Sequence, residues 1–193
     1  MEPGEHLDLL LEAIAADGDG FRRLLAGDAA GARGPLTEAA GHYRRSWEAA
    51  PPRSYGRLVG MLKSAVIGGE GAGAAAYVRS QLGDECDSPT SCYAVAIAAL
   101  AEGDDALAAR AAEGMLAGDP AFRRAAEAII ALAARDGGGY SAALDAIVAD
   151  FAARDAHLTG VAIADTAVML ETLATPRGMA RRPASPLVPA VAA

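Results

Sequence analysis

The stretch Cys92-Tyr93-Ala94-Val95-Ala96-Ile97-Ala98-Ala99-Leu100-Ala101-Glu102-Gly103-Asp104 decides the fold. Its apolar run meets a glycine-aspartate break, and the Ala-rich segment behind the break closes at Gly118-Asp119-Pro120, which reads as two helices joined by a turn. The unit recurs along the chain. A step of 34 residues from Gly103 lands on Gly69 and on Gly137, and Gly34 lies one residue off the same step, each opening an Ala-rich segment. A period of that length marks stacked helix pairs, because one pair cannot bury its own apolar faces and must lean on a neighbour. The expected fold class is all-α: antiparallel helix pairs stacked into a solenoid, forming one domain over residues 1–175, with a Pro/Ala-rich tail at 176–193.

Composition points the same way. Of the 193 residues, 52% are apolar and only 5% aromatic, and Ala dominates the periodic segments, which suits close helix-on-helix packing better than strands that want β-branched and aromatic residues. The net charge is -8, and the residues before Pro176 hold 14 basic against 25 acidic side chains. An acidic surface of that kind repels phosphate backbones, so no nucleic acid is expected as a partner. Met1 to Leu11 lacks the basic start and continuous apolar core of a leader peptide, and no segment reaches the length of apolar chain that a membrane span requires. A cytoplasmic location with no membrane contact is the expectation. Cys86 and Cys92 stand at the wrong spacing for a paired-CxxC zinc site and are expected as free thiols.

Taken in order, Leu7, Leu10, Leu11 and Ile14 follow one helix face from Glu5 to Ala16, and Asp17-Gly18-Asp19-Gly20 is expected to end that helix. The tetrad resembles a calcium loop. Placing Gly20 at the obligatory glycine, however, puts Ala15 and Ala26 where the first carboxylate and the closing glutamate belong, which excludes the metal. Phe21 to Arg33 reads as the next helix, weakened at Gly27-Asp28, and Pro35 is expected in the first turn of a helix running to about Ala50.

In this second helix Gly34-Pro35-Leu36-Thr37-Glu38-Ala39, then Tyr43, Trp47 and Pro51, resembles the second half of a tetratricopeptide repeat. Further pairs follow at Ser54 to Ile67 with Ala72 to Leu82, Thr90 to Ala101 with Asp104 to Ala117, and Phe122 to Ala134 with Tyr140 to Ala153. The pattern departs from the family where Ala99 and Ala133 replace the aromatic of the first helix, and the closing proline recurs only at Pro120. The resemblance implies a right-handed solenoid whose first helices line a concave surface that binds a peptide or a helix of another protein.

Thr159 is expected to cap a last helix, Val161 to Ala174, standing at the end of the array as a capping helix. A capping helix shows water a polar outer face. This one offers only Asp165, Glu171 and Thr172 as a polar stripe, so something is expected to cover the remainder: either the tail, with Leu187-Val188 between prolines, or a second copy in a homodimer through Met169, Leu170 and Leu173.

Chemistry-bearing motifs are few. Gly69-x-Gly71-x-x-Ala74, inside the stretch from Gly68 to Ala74, satisfies a loose dinucleotide fingerprint, but Leu58, Met61, Leu62 and Ala65 before it show helical rather than strand spacing, and Glu70 would bring a negative charge to the phosphates. It reads as an inter-helix turn. His6, His42 and His157 are scattered, no nucleophile or zinc motif is present in the sequence, and no catalytic residue, metal or cofactor is expected.

Helical phase, laid on the family's concave surface, places Val59, Lys63, Tyr93, Ile97, Arg124 and Glu127 toward a bound partner. The expected function is therefore a non-enzymatic interaction module that binds an apolar helix or extended segment of another protein. Two alternatives remain beside it. The closing Ala164-Asp165-Thr166-Ala167-Val168-Met169-Leu170-Glu171, with Arg177-Gly178-Met179, is similar to the end of helical immunity proteins that neutralise toxins, and the Gly68 to Ala74 stretch leaves a nucleotide-binding enzyme as the third reading.

Overall fold

A computed structural model describes residues 4–189, so of the tail expected at 176–193 the last residues, 190–193, lie outside the described part. The described residues form nine α-helices and no strand: α1 (Glu5–Leu25), α2 (Ala29–Ala49), α3 (Gly56–Gly68), α4 (Gly71–Leu82), α5 (Pro89–Glu102), α6 (Asp105–Met115), α7 (Pro120–Ala133), α8 (Gly137–Ala152) and α9 (Asp165–Ala174). From α1 to α8 each helix packs on the next, and α3, α5 and α7 also touch in that order. None of the helices is long and apolar enough to cross a membrane.

The quoted stretch becomes α5, the centre of the molecule. Pro89 opens it, Ser88 and Ser91 close a reciprocal capping box at its start, and every residue from Ser91 to Leu100 is buried. A helix apolar on all sides must be enclosed on all sides. Here α3, α4, α6 and α7 enclose it.

The glycine period is half-realised. Gly69 and Gly103 end α3 and α5 in the left-handed conformation, with φ of 92° and 83°, which only glycine adopts without a steric penalty. Gly34 instead lies inside α2, and Gly137 opens α8. The corresponding left-handed positions there are Gly27 and Arg135. Where the sequence reading left residues 135–139 between two helices, Gly137-Gly138-Gly139 is the first turn of α8, and the Asp136 side chain accepts from the backbone N–H of Gly138 and Gly139.

The N-terminal elements correct the sequence reading. Asp17-Gly18-Asp19-Gly20 does not end α1, which continues to Leu25; the break falls at Gly27, and Asp28 caps α2 through Gly31 N–H at 2.8 Å. Packing outweighs glycine's poor helix propensity here. A side chain at Gly20 would meet Leu36 Cγ at 2.7 Å, so the glycine is what lets α1 and α2 approach. Pro35 lies within α2 rather than in its first turn, and the backbone bond its ring forgoes is the one to the carbonyl of Gly31.

The two cysteines are not free thiols: Cys86 and Cys92 form a disulfide that ties the α4–α5 connection to the first turns of α5. The last helix begins at Asp165 rather than Val161, and Thr159 does not cap it, because residues 161–164 run outside the helix and Ala164 N–H donates to the carbonyl of Leu187. Nor does α9 stand at the end of the array. It packs on α3, α7 and α8, with Met169 and Leu170 fully buried and Leu173 at 6% exposure. Met179, Ala180, Leu187 and Val188 lie against the same core. The face that the sequence left uncovered is therefore covered within one chain, and these three residues offer no free surface to a second copy.

Candidate functional site

α9 packs across α3, α7 and α8, and a cleft of about 530 Å³ lies beside it. Its walls come from α1, α2, α3, α5, α7, α8, the segment between α8 and α9, and the start of α9 itself. Apolar side chains such as Ile14, Val59, Phe122 and Val161 make most of the wall, while a few polar groups converge within it. A concavity of this size and lining is the usual form of a binding site.

The polar end is built around Lys63. Its ammonium donates to Thr166 Oγ1 at 2.8 Å and to Asp165 Oδ2 at 3.2 Å, joining α3 to the first turn of α9. Burial alone would draw the Lys63 pKa down, but the Asp165 carboxylate and Tyr93 outweigh it and hold the ammonium charged. Below it lies Tyr93, 6% exposed, its ring 5.8 Å from Lys63 Nζ and set edge-on against Phe122. The Tyr93 hydroxyl is buried and has no hydrogen-bond partner among the described residues. Thr166 stands close enough to act on the phenol, yet its hydroxyl is engaged by Lys63 and its geometry toward Tyr93 does not amount to a hydrogen bond. Across the cleft His157 stacks on Phe151, and its Nδ1 is likewise buried and unpartnered.

Asp17 supplies the other polar feature. It projects from α1 in phase with Leu10, Ile14 and Phe21, is 5% exposed, and accepts from Ser64 Oγ at 2.7 Å. Burial pushes its carboxyl up to about 6; the Asp165 charge adds to this, while the Ser64 and Tyr43 hydroxyls and the Lys63 ammonium oppose it. The Tyr43 ring rests on Gly60, and burial beside Asp17 holds its phenol well above the ordinary range.

Charge in the cleft is opposite in sign to that of the chain. Arg124 and Arg154 share one carboxylate, Asp150; burial would raise that acid, but the two guanidinium groups hold it below the usual range. Arg57 donates to Ser46 Oγ at 2.7 Å and meets the His6 ring, with no carboxylate partner among the described residues. Four cations (Arg57, Lys63, Arg124, Arg154) thus face three acids (Asp17, Asp150, Asp165), one of which takes a proton near pH 6.

Of the residues that the sequence placed toward a partner, Val59, Lys63, Tyr93 and Arg124 line this cleft together. Ile97 does not, being fully buried inside α5, and Glu127 is exposed on α7 away from the lining. Sequence reasoning missed Asp17, whose place on the apolar stripe of α1 was the available signal, obscured by reading its tetrad as a break. It also missed Arg57, Arg154 and Asp165, which no local pattern brings together. Within the Gly68 to Ala74 stretch only Gly69 and Glu70 form the turn between α3 and α4; Gly68 ends α3, and Gly71 to Ala74 are the first turn of α4. Compared with protein-family models, curated proteins and solved structures, the chain matches none.

Proposed function

We propose that this protein is a non-enzymatic interaction module: a tetratricopeptide-like, right-handed solenoid of antiparallel helix pairs that takes an apolar segment of another protein into the cleft between its first helices and α9. The observation that carries the reading is the convergence of Val59, Lys63, Tyr93 and Arg124, chosen from helical phase alone, on one cavity of about 530 Å³. The segment is extended rather than helical, because α9 already occupies the place on α3, α7 and α8 where a partner helix would lie.

A toxin as the partner remains the variant of this reading that the acidic chain favours. The nucleotide-binding enzyme finds less support, since no strand enters the Gly69 turn. As to compartment, the cytoplasmic location suggested by the sequence competes with the Cys86–Cys92 disulfide, a type of bond that oxidising compartments preserve.

The test is site-specific photo-crosslinking of the full chain in its native cell. A probe at Val59 or Arg124 is expected to trap one partner through an extended apolar segment, and a probe at Leu116, exposed and away from the cleft, is expected to trap none. Equal labelling from all three positions would rule the cleft out as the contact.

A further inference from the structure

The way the array holds its own C-terminal segment indicates what else it selects. Segment α9 is apolar over most of its surface, and both of its acids are taken up by side chains of the array. Lys63 meets Asp165, and the buried Tyr140 hydroxyl donates to Glu171 Oε1 at 2.8 Å. An apolar stretch is bound by burial, and its register is set by carboxylates meeting a phenol or an ammonium.

The open cleft holds the same kinds of group, a phenol and cations, with fewer acids than cations. The Tyr93 hydroxyl is buried and has no partner among the described residues, Arg124 and Arg154 have one carboxylate between them, and the cations of the cleft outnumber its acids. A buried hydroxyl without a partner carries a desolvation cost that a ligand acceptor would restore. A cationic concavity on an acidic chain also favours the opposite charge in whatever enters.

Resting on the proposed function, we infer that the segment received by the cleft carries one glutamate or aspartate side chain among aliphatic residues, its carboxylate accepting from the Tyr93 hydroxyl and lying beside the Arg124–Arg154 pair. The occupant is a polypeptide, because α9 and the residues around Leu187 show the array accommodating apolar backbone alongside side chains.

Fluorescence anisotropy of the full chain with end-blocked heptapeptides of leucine and valine tests this, the central residue being glutamate, glutamine or lysine. The glutamate peptide is expected to bind about tenfold tighter than the glutamine peptide and the lysine peptide more weakly than either. Tyr93→Phe and, separately, Arg154→Gln are expected to lower the glutamate-to-glutamine ratio toward one. Equal affinity for the glutamate and glutamine peptides would overturn the acid preference while leaving the apolar reading standing. If no peptide binds in any form, the interaction-module reading falls and this inference with it. Decanoate binding in the absence of peptide binding, lost in Tyr93→Phe, would assign the cleft to a small amphiphile and overturn both.

Discussion

The Tyr140 hydroxyl donates to Glu171 Oε1 at 2.8 Å, with the tyrosine fully buried on α8 and the glutamate 4% exposed on α9. The same carboxylate accepts from the backbone N–H of Arg181 at 2.8 Å and from that of Arg182. One acid therefore fastens the array, the last helix and the following chain together. Removing the phenol hydroxyl leaves a buried carboxylate short of a donor, which costs about 1 to 3 kcal/mol. Tyr140→Phe is expected to lower Tm and to weaken amide protection at Arg181 and Arg182, and unchanged exchange there would show that the backbone donors suffice.

The Asp17 carboxyl binds its proton more tightly in the folded state than in the unfolded chain, because burial raises its pKa from 3.8 to about 6. Stability is accordingly highest at low pH as far as this group is concerned, declines as pH rises through that interval, and stays lower above it. The deficit at neutral pH is on the order of 3 kcal/mol. Asp17→Asn keeps an acceptor for Ser64 and carries no charge. Its Tm is expected to exceed the parent's at pH 8 and to match it near pH 4; parallel curves across that range would mean that Asp17 ionises without penalty.

Gly60 and Tyr43 are in direct contact, and a Cβ at position 60 would meet Tyr43 Cε1 at 2.7 Å. The ring must move for Gly60→Ala to fold, and overpacking of this kind costs roughly 1 to 3 kcal/mol. Because both residues line the cleft, the substitution is expected to weaken ligand binding as well as to lower the denaturation midpoint. A variant that melts like the parent would show that the ring can swing into the cleft at no cost.

Tyr93→Phe removes a buried hydroxyl that has no partner among the described residues. Its expected effect on the free protein is neutral or stabilising, by up to about 1 kcal/mol, in contrast to Tyr140→Phe. The two tyrosines form a matched pair for one urea titration. A large loss at Tyr93 would show that its hydroxyl is satisfied in solution.

Leu170 is fully buried between α9 and the array. Leu170→Glu is expected to unfold the protein, since an unpaired charge at that position cannot reach water. Circular dichroism with light scattering decides between this outcome and a folded monomer derived from a dimer; a folded, monomeric variant with a dimeric parent would restore the interface through Met169, Leu170 and Leu173.

The sequence by itself determined the helices from α3 to α8, because their apolar periodicity, aspartate and serine caps, and glycine or proline stops all act within a turn or two of the residues concerned. Ser88-Pro89 and Asp119-Pro120 state a helix start without reference to anything distant. Helical phase also placed Val59, Lys63, Tyr93 and Arg124 on one face, and the fold brings these four to a single cleft. Two errors are local, the Cys86–Cys92 disulfide and the helical Gly137-Gly138-Gly139 under the Asp136 cap; the others fall where long-range contact overrides local preference. Gly18 and Gly20 read as breakers but serve as the low-profile face on which α1 meets its neighbours, a role visible only once Leu36 and the carbonyl of Thr159 lie against them. Glu171 read as part of a solvent-facing stripe, yet it is buried, because the chain beyond α9 folds back to give it backbone donors. Where α9 lies was decided by tertiary structure alone: its apolar face specifies burial but no address, and the Lys63–Asp165 contact that supplies one joins residues 102 positions apart. Hydrophobic burial is non-directional, so periodicity fixes that a face is covered, and geometry alone fixes by what.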